Sequence, residues 1–161
     1  MKPAAIILVI LVLAAVCAVG YLYVTAHLDV QYVTCIATDA VSQLDYINDL
    51  AARLDAGTFT GTRFSSGSLE SADHYQFLSY TVRLRNRAFL NADVIEIHIT
   101  PMQGDVLQIK NDDDLHSLPS GQQMDLSAMI LTSREMHSIR EATVSYYFWG
   151  IPFTTRLTLG R

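Results

Sequence analysis

The distribution of apolar positions divides the chain into three parts. Ala4 to Val24 reads AAIILVILVLAAVCAVGYLYV, an uninterrupted uncharged run. At about 1.5 Å per residue, a helix of that length spans roughly 30 Å, the hydrocarbon thickness of a bilayer. Backbone groups in lipid must satisfy one another, so a single segment crosses as a helix. Pro3 suits a first helical turn, and Tyr21 and Tyr23 fall where aromatic rings sit among headgroups. The second part has apolar residues at helical spacing: Val33, Ile36, Ala40, Leu44, Ile47, Ala51 and Leu54, with Asp39, Gln43, Asp45, Asn48, Asp49 and Arg53 on the other faces. This predicts an amphipathic juxtamembrane helix over 27–57, stopped at Gly57. Its seam suits either a short coiled coil or packing on the body that follows, and the latter is preferred.

From Thr58 onward the period changes to two. Weak edge strands are expected at Phe59–Phe64 and Ser68–Asp73. Stronger alternation follows at Leu78–Leu84, Ile95–Ile99, Val106–Lys110, Met124–Ile130, Ala142–Phe148 and Phe153–Leu159. The turns between them carry Gly104-Asp105, Asn111–Asp114, Leu118-Pro119-Ser120-Gly121 and Gly150-Ile151-Pro152. With no helix long enough for parallel crossovers among these strands, the sheets should be antiparallel. The fold class predicted is mainly β: an immunoglobulin-like sandwich over 58–161, preceded by a membrane anchor over 1–26 and the amphipathic helix.

Four segments, YTVRLRN (Tyr80–Asn86), ADVIEIHITP (Ala92–Pro101), LPSG (Leu118–Gly121) and YYFWGIPF (Tyr146–Phe153), resemble the strand and turn grammar of LEA-2-type domains. The resemblance covers about half the chain and consists chiefly of turn residues. It implies a fibronectin-III-like sandwich, often held outside a membrane by one amino-terminal helix. Where that family has Asn-Pro, this chain has Asn86-Arg87. The resemblance brings no catalytic residues.

Charge refines the picture. Lys2 precedes the apolar run, so ten basic and sixteen acidic residues leave the remainder at a formal −6 with His neutral. That balance argues against a nucleic-acid partner. Lys2 before the run and Asp29 after it place the amino terminus in the cytoplasm and the body outside. Two competing readings of the run are a cleaved signal peptide, ending at Ala18-Val19-Gly20 or Val24-Thr25-Ala26, and a lipoprotein acylated at Cys17. A retained anchor better matches its length, with residues 4–24 in contact with lipid. Cys35 is then a free thiol or an intermolecular bridge, because Cys17 lies in the bilayer.

Candidate chemistry is sparse. His27, His74, His98, His116 and His137 lack metal-site spacing, and Asp112-Asp113-Asp114 lacks the ligand pattern of an EF-hand. There is no nucleophile elbow and no phosphate-cradling glycine motif. The expectation is therefore a protein that is not an enzyme and needs no cofactor or metal. Two sets of residues are candidates for binding a protein partner in the membrane or envelope. Arg83, Arg85 and Arg87 share a strand face, where an anionic partner competes with cross-strand pairing, Arg83 falling opposite Glu96. Tyr147 and Trp149 point away from Tyr146 and Phe148. They are either covered by the amphipathic helix, the preferred arrangement, or exposed as a binding patch. The function expected is a membrane-anchored extracytoplasmic binding or assembly module. A pilin-like subunit and a small surface hydrolase are the alternatives.

Overall fold

A computed structural model describes residues 2–110 and 116–160. The candidate loop Asn111–Asp114 lies outside the described residues. The chain begins with α1 (Lys2–Thr25), a helix long and apolar enough to cross a membrane, and its apolar window is wholly unburied. Nine strands follow among the described residues: β1 (Leu28–Asp39), β2 (Gly61–Arg63), β3 (Tyr75–Asn86), β4 (Ala92–Ile99), β5 (Asp105–Ile109), β6 (His116–Leu118), β7 (Gln123–Ser133), β8 (Arg140–Phe148) and β9 (Ile151–Leu159). They form two sheets, β1-β3-β7-β5-β2 and β6-β4-β8-β9, and every pairing is antiparallel.

The helix expected over 27–57 is corrected in its first half. Leu28–Asp39 is a strand paired with β3 along its whole length. Val30, Val33, Thr34, Ile36 and Thr38 are β-branched and Tyr32 is aromatic, a composition that fits a pleated surface better than a helix. The segment that suggested a helix also carries a period of two, with Val33 and Cys35 turned toward the core and Thr34 and Ile36 outward. Helix resumes only at α2 (Leu44–Asp55), after one 3-10 turn over Ala40–Gln43. The weak strand expected at Ser68–Asp73 is also absent. A 3-10 turn at Ala72–His74 leads into β3 instead.

Leu78, Tyr80, Val82 and Leu84 of β3 and Leu126, Ala128 and Ile130 of β7 share one core with Ile95, Ile99, Ala142, Val144, Tyr146 and Phe148 from the other sheet. A second cluster lies on the opposite face of the five-stranded sheet. There Ile47 and Leu50 of α2 pack with Tyr75, Phe77, Leu107 and Leu131. Of the two readings of the amphipathic seam, packing on the body describes α2.

Polar bridges tie the two sheets together. Arg140 of β8 and Asp105 of β5, both with wholly buried side chains, form a bidentate pair with nitrogen–oxygen distances of 2.9 and 2.7 Å. Arg140 Nη1 also donates to the carbonyls of His137 and Ile139, and Asp105 accepts from the Met102 amide. Such a pair is tolerated in a dry interior only because its remaining donors and acceptors are also satisfied. Gln108 of β5 plays a similar part against β4. Its amide accepts from the Ile99 N–H at 3.0 Å and donates to the Ile97 carbonyl at 2.8 Å, imitating a peptide group of a neighbouring strand. Among the described residues, no buried side-chain nitrogen or oxygen lacks a hydrogen-bond partner.

Candidate interaction surface

The link between α1 and the body is short. The Thr25 hydroxyl caps the last turn by donating to the Tyr21 carbonyl, and only Ala26 and His27 separate α1 from β1. Ala26 and Leu28 are both buried, and the Leu28 amide donates to the Tyr146 hydroxyl at 3.4 Å. Aromatic rings carry the contact inward: Tyr23 of α1 lies 5.5 Å from Phe153, which stacks on Tyr146 at 5.9 Å and meets Phe148 edge-on at 5.6 Å. A crevice of about 50 Å³ separates the end of α1 from the tip of the β8–β9 hairpin. Val19, Leu22 and Tyr23 line it on one side, and Leu90, Phe148, Trp149, Ile151 and Phe153 on the other.

This end of the body exposes several large apolar side chains, of which Trp149 and Ile151 line the crevice. Phe89 is 72% exposed, Trp149 66%, Ile151 46% and Tyr147 38%. Phe89 and Trp149 line one shallow depression. The Phe89 loop is held by Asn86, a fully buried residue at the end of β3. The Asn86 side-chain amide donates to the carbonyls of Leu90 (2.7 Å) and Leu118 (2.8 Å), and its oxygen accepts from the Ala88 amide (2.9 Å). The strand-end Asn and the Leu118–Gly121 turn, two of the recurring turn features of the sequence, are thus joined directly, and Ser120 adds a hydrogen bond to the Ala88 carbonyl.

Backbone strain collects at the same end. Val94 (φ 51°) and Trp149 (φ 52°) are the non-glycine residues with positive φ among those described. Val94 sits at the bulge of β4, whose Asp93 pairs with Tyr147. Trp149 and Gly150 (φ 76°) form the two-residue loop between the paired Phe148 and Ile151. Positive φ at both loop positions is the type I′ pattern, which favours Asn or Gly over a bulky ring. Keeping tryptophan there costs about 1–2 kcal/mol.

Tyr147 and Trp149 are both exposed, and the preferred helical cover is corrected: α2 packs on the far face of the other sheet. Arg83 does not pair with Glu96, because β3 and β4 belong to different sheets. It makes a bidentate pair with Asp125 on β7, both distances 2.6 Å, and lies 4.5 Å from the centre of the Tyr32 ring. Arg87, beyond the end of β3, pairs with Asp29. Arg85 is exposed, with no ion pair among the described residues. The three arginines therefore do not form one free cationic patch. Phe89, Val94 and Ile151 escaped the sequence reading. Phe89 carried a detectable signal, being an apolar ring in an otherwise turn-like segment.

The hydrogen bond from Arg83 holds the Asp125 carboxyl below its ordinary range. Burial pushes the Cys35 thiol up, against the lowering effect of its contact with Tyr80 and the charge of Arg140. Burial likewise raises the Tyr80 phenol, which donates to the Ser138 carbonyl at 2.6 Å. Cys17 and Cys35 are both free. Among the described residues, no group of three His, Cys, Asp or Glu side chains could hold a metal. A slot of about 140 Å³ opens between β4 and β5, lined in part by Glu96, His98, Gln108 and Lys110. It is smaller than the roughly 300–1,000 Å³ of small-molecule sites. No family model, curated protein or solved structure matches the chain.

Proposed function

We propose that the protein is a single-pass membrane protein whose extracytoplasmic body is an immunoglobulin-like β-sandwich acting as a non-catalytic binding or assembly module. The observation that carries this reading is the junction of α1 and the body. An apolar helix of bilayer length, unburied along its apolar window, passes through two residues into β1. A helix apolar all round needs an apolar surrounding, and lipid supplies it. The amino terminus is cytoplasmic on the strength of Lys2.

The sandwich reading is supported by β1, β3 and β7 lying opposite β4, β8 and β9, which parallels the A-B-E and C-F-G strands of immunoglobulin-type domains. The non-catalytic reading is supported by the use of the buried polar side chains among the described residues: Asn86, Asp105, Gln108, Thr132 and Arg140 are all committed to loops and to bridges within the body.

The test is extraction. Expressed in full, the chain should stay in the membrane pellet after an alkaline wash and leave it only with detergent. A version lacking residues 2–25 should not pellet. Release of the full chain by alkali alone would refute the anchor.

A further inference from the structure

On the reading that α1 crosses a bilayer, the body sits directly on that membrane's outer surface. We propose that Phe89, Trp149 and Ile151 form a lipid-binding seat: the tip of the body enters the headgroup–acyl boundary of the same membrane that α1 spans.

Depth is the first argument. The uncharged run ends at Val24, which places that residue near the outer edge of the hydrocarbon. The crevice between helix and body reaches down to Val19, five residues earlier, or about 7.5 Å along the helix axis. Trp149 and Ile151 line the other wall of a crevice whose α1 side runs from Ala26, just past that edge, through Tyr23 and Leu22 to Val19, inside it. The link offers no slack to lift the body away, because Ala26 is buried and β1 begins at Leu28. Chemistry is the second argument. The tip presents Trp, Phe and Ile, side chains that settle where lipid meets water, and Tyr21 and Tyr23 on α1 continue the aromatic belt. Strain is the third. Trp149 occupies a left-handed turn position that Asn or Gly would fill without cost, yet its ring is two-thirds exposed. A protein partner or a second copy could also cover an apolar patch. Continuity with a membrane helix at matching depth selects lipid.

Trp149 is the single tryptophan of the chain, so its native fluorescence reports on the tip alone. The experiment uses the full chain reconstituted in phosphatidylcholine vesicles, some carrying lipids brominated high on the acyl chain and others brominated near its end. Emission should be blue-shifted, and high bromines should quench it several-fold more strongly than deep ones. Moving the probe with Trp149→Phe and Phe89→Trp should reproduce this pattern. Moving it instead to the 3-10 turn that follows the far end of β1, with Trp149→Phe and Val41→Trp, should abolish quenching. If the chain floats with the vesicles but Trp149 emits as in water, the seat is refuted and the anchor stands. Blue-shifted emission unaffected by bromine would assign the tip to a protein surface and equally overturn the seat. A chain that fails to float removes both anchor and seat.

Discussion

Trp149 gives the sharpest physical test, because one site carries two opposed effects. At φ 52° its backbone is left-handed, which costs an L-residue about 1–2 kcal/mol and exempts Gly and largely Asn. Replacing it by Asn or by Ala removes the same ring, so lost ring packing nearly cancels between the two variants. What remains is the turn: Asn suits a type I′ position and Ala does not. The Asn variant should therefore be more stable than the Ala variant by about 1 kcal/mol. For a body of this size that is roughly 3–6 °C in Tm. Gly150→Ala supplies the converse. Nothing lies within 4 Å of the added carbon, so its cost is conformational alone, again about 1 kcal/mol. Thermal unfolding of the full chain in detergent, followed by circular dichroism of the β-sheet band, measures all three. Both Trp149 variants should also lose lipid contact. Two-thirds of a tryptophan surface is on the order of 150 Å², up to about 4 kcal/mol if it enters hydrocarbon completely. If the Ala variant melts as high as the Asn variant, the strain argument is wrong.

Other perturbations separate the supports of the fold. Asp105→Ala strands the buried Arg140 guanidinium between the sheets, and should lower unfolding free energy by about 3–5 kcal/mol with an unchanged m-value in urea. Adding Arg140→Met to that change should recover much of the loss. The Arg83–Asp125 pair predicts a pH dependence. The folded-state pKa of Asp125 is depressed, so the stability it contributes is present at neutral pH and lost as pH falls through the depressed value. Arg83→Gln should move the Asp125 midpoint upward in a carboxyl-carbon NMR titration; an unmoved midpoint would show that the pair does not form in solution. Ile47→Asp places a charge in the α2 cluster and should destabilise the body by about 3 kcal/mol, while Trp149 emission at temperatures where the variant is folded stays as in the parent.

The period-two segments of the β region were legible because each strand buries one face. Leu78, Tyr80, Val82 and Leu84, and likewise Ala142, Val144, Tyr146 and Phe148, are inward as their alternation implies. β1 was not legible, since Val33 and Ile36 fall on one helical stripe with Ala40 while Val33 and Cys35 share one strand face, and only pairing with β3 decides between them. Local pattern also could not find the partner of Arg83. Glu96 is the nearer acidic residue in sequence, but β3 and β4 part into different sheets, and Asp125 lies 42 residues away. The exposure of Trp149 was one of two readings of its alternation. Phe89 joins it only through the bonds of Asn86, which connect loops far apart in sequence.

The central claim, an anchored chain with its body outside, is tested most directly by labelling from without. In a Cys35→Ser background, Asp39→Cys puts an exposed thiol at the end of β1 remote from α1, and the remaining Cys17 lies within the apolar span. Intact cells treated with a membrane-impermeant maleimide should yield a labelled chain in the membrane fraction. Labelling that appears only after the membrane is permeabilised would contradict the account.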